Sequence, residues 1–360
     1  MEYYIFATNK CNLNCQYCSV LLKTVENSIP LEPIYSLEAL NAFIHNTQVK
    51  LHDKHAELVF FGGEPTLNYC FIRDVIHSQY ENSRLPYTYS YVLHTNGLEL
   101  GNIPNDILNS ISAIMLSINY DRIPHYHLNE GYFRVIADSI MTIRRKKQIP
   151  IIGRMTITEE TSLFSEIALL NGFFDAIYWQ IENCYQFKNF NQFYESYEYE
   201  LTLVFNSWLK YLERGFLLNY IPFIATACFA NNLDTPKHFC CGYNRSMIYV
   251  QTNGDCYTCA EDMTTKHNLV GSIESGFHFD EFSINDTKCL NCKYVHICKG
   301  RCGRMHKEFD PNHTNEYCML NQIMFNLILE NLPRINELVR KWGLSIAMND
   351  PIFHYTEYTP

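Results

Sequence analysis

Tyr3-Tyr4-Ile5-Phe6-Ala7-Thr8 is followed, two residues on, by Cys11-Asn12-Leu13-Asn14-Cys15-Gln16-Tyr17-Cys18, which sets three thiols within eight residues. The first run is aromatic and β-branched and predicts a strand, so the cysteines form a ligand loop at a strand end. A complete iron–sulfur cluster takes four cysteine thiolates, and three packed closely with no fourth nearby predict a cluster with one iron left open. An open coordination position marks a catalytic metal site. The competing readings are a zinc loop, which draws its ligands as two separated pairs, and a disulfide framework.

The CxxxCxxC spacing, with the aromatic Tyr17 before the last cysteine, resembles the signature of the radical S-adenosylmethionine (SAM) enzymes. That resemblance implies that Cys11, Cys15 and Cys18 hold a 4Fe–4S cluster and that the methionyl amine and carboxylate of SAM chelate its open iron. One electron then cleaves SAM to methionine and a 5′-deoxyadenosyl radical.

The chain as a whole sets bounds on this reading. Its 360 residues exceed one ordinary core and predict a large α/β domain with a smaller one. The composition, 47% hydrophobic and 14% aromatic, is that of a globular protein. A formal charge of −10 argues against a nucleic-acid partner, because phosphate binding needs clustered Lys and Arg. No basic leader with an apolar core and no run of membrane-spanning length is present, which predicts a cytoplasmic chain with no membrane partner. In that reducing compartment the 15 cysteines read as metal ligands in preference to disulfides. Cys70 and Cys184, isolated from the rest, read as buried small hydrophobes.

Strand and helix patterns alternate after the loop. Ser36 caps a helix to about residue 50, and a strand over residues 56–61 ends in Gly62-Gly63-Glu64-Pro65. Two glycines allow close backbone approach to a ligand, and Glu64 supplies an acceptor for an ammonium. In the family that this resembles, such a GGE holds the SAM amine. Further strands are read at 87–95, 112–119, 149–157 and 174–181, with helices at 132–147 and 162–171. Strands separated by helices imply a parallel sheet with right-handed crossovers, and the resemblance implies a partial (β/α)6 TIM-type barrel. Ligands sit at the carboxyl ends of such strands, where Glu64, Asn96, Asn119 and Gln180 lie. Ser117 and Arg154 resemble positions that contact the ribose and carboxylate of SAM; an Arg in an apolar strand needs an anion. The run Arg144-Arg145-Lys146-Lys147 reads as a solvated helix end, its charge matched to the helix dipole.

Beyond an aromatic helix at 191–215 the cysteines return. Met247 to Asp255, with Asn253-Gly254 as its turn, reads as a β-hairpin. Cys241, Cys259, Cys289, Cys292, Cys298, Cys302 and Cys318 closely resemble the seven-cysteine pattern of the SPASM extension, which binds two auxiliary 4Fe–4S clusters, although a pair of zinc sites would use similar fragments. By position in that family, Cys289, Cys292, Cys298 and Cys318 hold an outer cluster, and Cys241, Cys259 and Cys302 an inner one. Cys228 is its expected fourth ligand, with Cys240 the alternative. The expected divisions are a barrel over 1–215, a bridge and SPASM domain over 216–318, and a helix and tail over 319–360, the helix interrupted at Pro333.

The resemblance implies a maturase that abstracts hydrogen from a ribosomally made precursor peptide to give a crosslink or rearrangement. Its cofactors are SAM and three 4Fe–4S clusters, and its electron donor a flavodoxin or ferredoxin. In sulfatase-maturing relatives an acidic base directly follows the cysteine at the position of Cys259. Here Ala260 stands there, with Glu261 and Asp262 next along as the candidates for that catalytic role, which weakens the expectation of formylglycine formation. Many peptide maturases of that family grip the leader with an N-terminal winged-helix domain; only ten residues precede Cys11, so either a separate leader-peptide-binding protein or recognition by the barrel and C-terminal surfaces is expected. The alternatives are a radical dehydrogenase and a zinc-stapled binding protein. The peptide, the bond made or broken and the oligomeric state are not encoded in these motifs.

Overall fold

The aromatic run at the amino terminus forms the strand that the cysteine loop requires. A computed structural model describes residues 1–15, 18, 29–81, 87–118, 130–183, 186–232, 236–261, 263, 268–346 and 358–360. In chain order the strands are β1 (Glu2–Thr8), β2 (His55–Gly62), β3 (Thr88–Thr95), β4 (Ala113–Ser117), β5 (Ile151–Ile157), β6 (Ala176–Ile181), β7 (Met247–Val250), β8 (Asp255–Tyr257), β9 (Leu269–Ser272) and β10 (Gly276–Phe277). The helices are α1 (Leu37–Leu51), α2 (Tyr69–Glu81), α3 (Asn105–Ser110), α4 (Glu130–Lys146), α5 (Leu163–Leu170), α6 (Phe190–Glu213), α7 (Ile221–Ala230), α8 (Val295–Cys298), α9 (Gly303–Glu308) and α10 (Pro311–Trp342). The fold is mixed α/β with a parallel sheet core. Two compact units divide it: Met1–Ile151 with Asn244–Glu281, and Ile152–Tyr243 with Phe282–Pro360. The hairpin segment belongs to the first unit.

In the first unit β7, β1, β2, β3 and β4 run parallel in that order, with β8, β9 and β10 added antiparallel beyond β7. Tyr3, Ile5, Leu58, Phe60, Val92 and Leu93 are fully buried, as expected of parallel strands covered on both faces. Ser36 caps α1 by accepting the Ala39 N–H at 3.2 Å, and the helix buries Leu40, Phe43 and Ile44. The hairpin forms as read, with Tyr249 opposite Tyr257 and Gly254 at a φ of +90° in its turn. Its parallel pairing with β1, Glu2 to Met247 through Ile5 to Val250, places it beside the strand that carries the ligand loop.

Lys147 departs from the solvated role expected for its basic run. Its Nζ donates to the carbonyls of Leu108, Asn109 and Ile111 at 3.2, 2.7 and 2.7 Å, closing the carboxyl end of α3. Burial lowers its pKa from the ordinary lysine value. Lys147→Met is expected to cost about 1–2 kcal/mol, since charged donors to carbonyls are among the stronger hydrogen bonds. A lower urea midpoint at unchanged slope would show it; an unchanged midpoint would return Lys147 to the solvated class.

The second unit is built on the parallel pair β5 and β6, with Arg154 opposite Tyr178 and Thr156 opposite Gln180. Trp208 is buried on α6, its Nε1 donating to the Leu218 carbonyl at 2.9 Å and its ring 5.5 Å from Phe223, which in turn meets Trp179. Helix α10 does not break at Pro333; it runs from Pro311 to Trp342. The ring removes one helix bond and costs roughly 3 kcal/mol in a helix interior. Burial of Met324, Phe325 and Ile328 before it and Ile335 and Leu338 after it on one continuous face outweighs that cost. Cys70 is exposed, contrary to expectation, because it falls on the outward side of α2, a helix not read from sequence; Cys184 lies outside the described residues. Among the described residues no helix is long and apolar enough to cross a membrane.

Candidate cofactor and cluster sites

In the first unit, Cys11, Cys15 and Cys18 follow β1 and are each half-buried. The Cys18 N–H donates to the Cys15 carbonyl at 3.1 Å, and the Leu13 N–H to Cys11 Sγ at 3.4 Å. Burial pushes the Cys11 thiol up to about 11, partly offset by the Leu13 N–H, and the charges of Glu64, Cys18 and Cys15 add to the rise. The three sulfurs and the carboxylate therefore lie within electrostatic reach of one another, a donor set short of positive charge. A cationic cluster core would supply that charge and hold the thiolates deprotonated. The residues fit an iron–sulfur group.

The two glycines after β2 approach the chain itself. Gly62 has a φ of +128°, and the N–H groups of Gly63 and Glu64 donate to the carbonyls of Thr8 and Lys10 at 2.9 and 2.8 Å. A Cβ on Gly63 would sit 2.3 Å from the Lys10 carbonyl oxygen. The GGE turn thus clamps the stem of the cysteine loop. Glu64 is 1% exposed and caps the turn that follows it. Its Oε1 accepts from Thr66 N at 3.1 Å, Thr66 Oγ1 at 2.5 Å and Thr95 Oγ1 at 2.7 Å, while Oε2 accepts from Asn96 N at 2.7 Å. Asn96 in turn donates from Nδ2 to Asn12 Oδ1 at 2.8 Å, tying the end of β3 to the cysteine loop. On the other side Asn9 Nδ2 bonds Gln251 Oε1 and Thr252 Oγ1 of the hairpin at 2.9 and 2.8 Å.

Ser117, at the end of β4, is half-buried and bonds His94 Nε2 at 3.0 Å. Tyr17 and Asn119 lie outside the described residues. Asn9, Asn12, Thr66 and His94 were not singled out in the sequence; the Asn-rich spelling of Cys-Asn-Leu-Asn-Cys was the one available signal for Asn12.

In the second unit Arg154 donates to Gln180 Oε1 and lies over the Tyr178 ring at 5.5 Å, so the two expected polar groups of β5 and β6 are brought together. The same unit holds a cavity of about 40 Å³ whose lining includes Cys289, Cys292, Cys298, Cys302 and Cys318. Burial raises the Cys298 thiol well above its usual value, reinforced by Cys318, Cys289 and Cys240. Soft thiols standing apart around a cavity wall suit a polynuclear group, whereas a lone zinc ion needs its sulfurs converged at about 2.3 Å. Among the described residues no three His, Cys, Asp or Glu groups are close enough to share one metal ion. Cys240 is buried, its Sγ accepting from Tyr358 N at 3.3 Å; Cys228 is half-buried on α7. Cys259 and Glu261 belong to the first unit, and Asp262 is outside the described residues.

No protein-family model matches the chain. The solved structures of anSMEcpe superpose on it. With AdoMet and the Cp18Cys peptide bound, that protein aligns over 94% of this chain and 99% of its own at a TM-score of 0.72 and 17% identity. In its histidine-tagged form with AdoMet the figures are 99%, 99%, 0.73 and 17%. The chain has the fold of these structures. In sequence it is 22% identical over 337 residues to the radical SAM cyclopropyl synthase TigE of Paramaledivibacter caminithermalis, covering 85% of this chain and 68% of that protein. The cysteine loop after β1 and the GGE turn after β2 stand at the carboxyl ends of neighbouring parallel strands.

Proposed function

We propose that this chain is a radical SAM and SPASM maturase that modifies a ribosomally made peptide by hydrogen abstraction. The observation that carries the reading is the cysteine loop clamped at its stem by Gly62-Gly63-Glu64, in a chain with the maturase fold. When bound, a 4Fe–4S cluster with SAM supplies a one-electron cleavage of the sulfonium and so a 5′-deoxyadenosyl radical. Cys11, Cys15 and Cys18 would hold that cluster. Gly62, Gly63, Glu64 and Asn96 shape the SAM amine end, with Tyr17, Ser117, Asn119, Arg154 and Gln180 completing the cofactor contacts; a guanidinium matches a carboxylate. Glu261 and Asp262 are the acid–base candidates toward the peptide.

Cys289, Cys292, Cys298 and Cys318 would hold the outer auxiliary cluster. Cys241, Cys259 and Cys302, with Cys228 or Cys240, would hold the inner one. A flavodoxin or ferredoxin would deliver the electron in the cytoplasm, and a separate protein would present the leader peptide. The similarity to a cyclopropyl synthase supports ring or crosslink closure between carbons over fragmentation.

The test is anaerobic reconstitution followed by assay for 5′-deoxyadenosine under a strong reductant, then mass spectrometry of the neighbouring precursor peptide after co-expression. A loss of two hydrogens from the peptide is expected. Zinc without iron, or no 5′-deoxyadenosine, would end the proposal.

A further inference from the structure

His306 lies on α9 with Nε2 3.1 Å from the Gly300 carbonyl oxygen and 3.4 Å from Cys289 Sγ. A carbonyl oxygen only accepts, so Nε2 carries the hydrogen, and Cys289 Sγ is its second acceptor. The ring is held in place: it stacks on Phe239 at 5.8 Å and 20°, and Phe239 stacks on Phe282 at 5.6 Å and 28°.

The same cavity is lined by Arg301. Its guanidinium lies over the Tyr317 ring at 4.7 Å and donates to a Pro360 backbone oxygen, to the Ile181 carbonyl at 3.4 Å and to Asn183 Oδ1 at 3.4 Å. Among the described residues no Asp or Glu pairs with it. The His306 N–H is the donor that faces this thiol-lined cavity, and it favours extra negative charge on the sulfur that it meets.

We propose that His306, through its Nε2–H bond to Cys289 Sγ, raises the reduction potential of the cluster held by Cys289, Cys292, Cys298 and Cys318, a positioning and tuning role. This rests on the outer-cluster assignment given above. Hydrogen bonds to cluster sulfurs and nearby charge are among the determinants of iron–sulfur potentials. The one-electron reduced state carries more negative charge on sulfur and gains more from the donor.

The test uses the full chain in a C11A/C15A/C18A background, which leaves only the auxiliary sites, reconstituted anaerobically and titrated with EPR detection. His306→Phe keeps the stacked ring and removes the donor; one of the auxiliary potentials is expected to shift negative with iron and sulfide unchanged. His306→Gln, whose amide nitrogen can occupy the place of Nε2, is expected to restore most of the shift. An unmoved potential in a fully loaded His306→Phe protein overturns the inference. If that variant loses iron, a D2O-exchangeable proton coupled to the reduced cluster in the parent and in His306→Gln supports it, and absence of that proton overturns it. A parent that binds no iron at these cysteines instead overturns the cluster assignment.

Discussion

Gly63→Ala is expected to empty the amino-terminal site of iron and abolish 5′-deoxyadenosine formation while the chain still folds. A Cβ there would lie 2.3 Å from the Lys10 oxygen, 2.7 Å from the Lys10 carbonyl carbon and 2.8 Å from the Asn9 oxygen. All three are backbone atoms, so no flexible side chain can swing aside. The ends of β1 and β2 must part, and the bonds from Gly63 N to Thr8 O and Glu64 N to Lys10 O weaken with them. Overpacking of this kind costs about 1–3 kcal/mol, and two strained backbone bonds add about 0.5–1.5 kcal/mol each. The first residue displaced is Lys10, next to Cys11. With the three clusters proposed above, iron analysis should show loss of roughly a third of the total, the auxiliary thiols keeping theirs. Gly131→Ala, where an added Cβ meets nothing within 4 Å, is the matched control. Full iron and normal 5′-deoxyadenosine in Gly63→Ala would refute the clamp.

The same clamp shows what the sequence could and could not disclose. Ser36 announced its helix and residue 162 was read as the start of another, and each of these serines accepts a bond from the first turn in the structure, whereas Asn189, which caps α6, was not singled out. The cysteine spacings and GGE were equally legible, because few chemistries use three thiols so close. What GGE does was not: two glycines predict close approach, but their partner proved to be the chain's own loop stem. The hairpin at Asn253-Gly254 was visible as a local signal, whereas its pairing with β1 joins residues far apart in sequence and left no local trace. Pro333 misled for the opposite reason, since its local cost is real but the buried face on both sides of it is decided by tertiary packing. His306 and Arg301 carry no motif. Only the fold brings an imidazole to Cys289 and a guanidinium to the same cavity.

Glu64→Gln is expected to destabilise the apoprotein by about 1–3 kcal/mol at mildly acidic pH, the cost of stranding one buried amide, and to weaken SAM binding. Both carboxylate oxygens accept from backbone N–H groups, Oε1 from Thr66 and Oε2 from Asn96. A glutamine offers one acceptor oxygen. In either orientation its NH2 faces a backbone N–H that cannot reverse, although the Thr66 and Thr95 hydroxyls can. Loss at Asn96 passes to the cysteine loop through the Asn96 to Asn12 bond. A protonated carboxyl differs from the amide in keeping a lone pair on each oxygen. Burial, the largest influence, holds the Glu64 pKa above its ordinary value against the pull of Thr66, Asn96 and Thr95. A raised folded-state pKa means stability that is complete below the unfolded value of about 4.3 and lost as pH climbs through the folded one. The glutamine variant has no such loss, so its deficit should narrow as pH rises from that range. Urea unfolding of both proteins across pH, with calorimetric SAM titration, measures this. Equal stability at every pH, or a deficit that widens upward, would show that Glu64 does not hold the turn together.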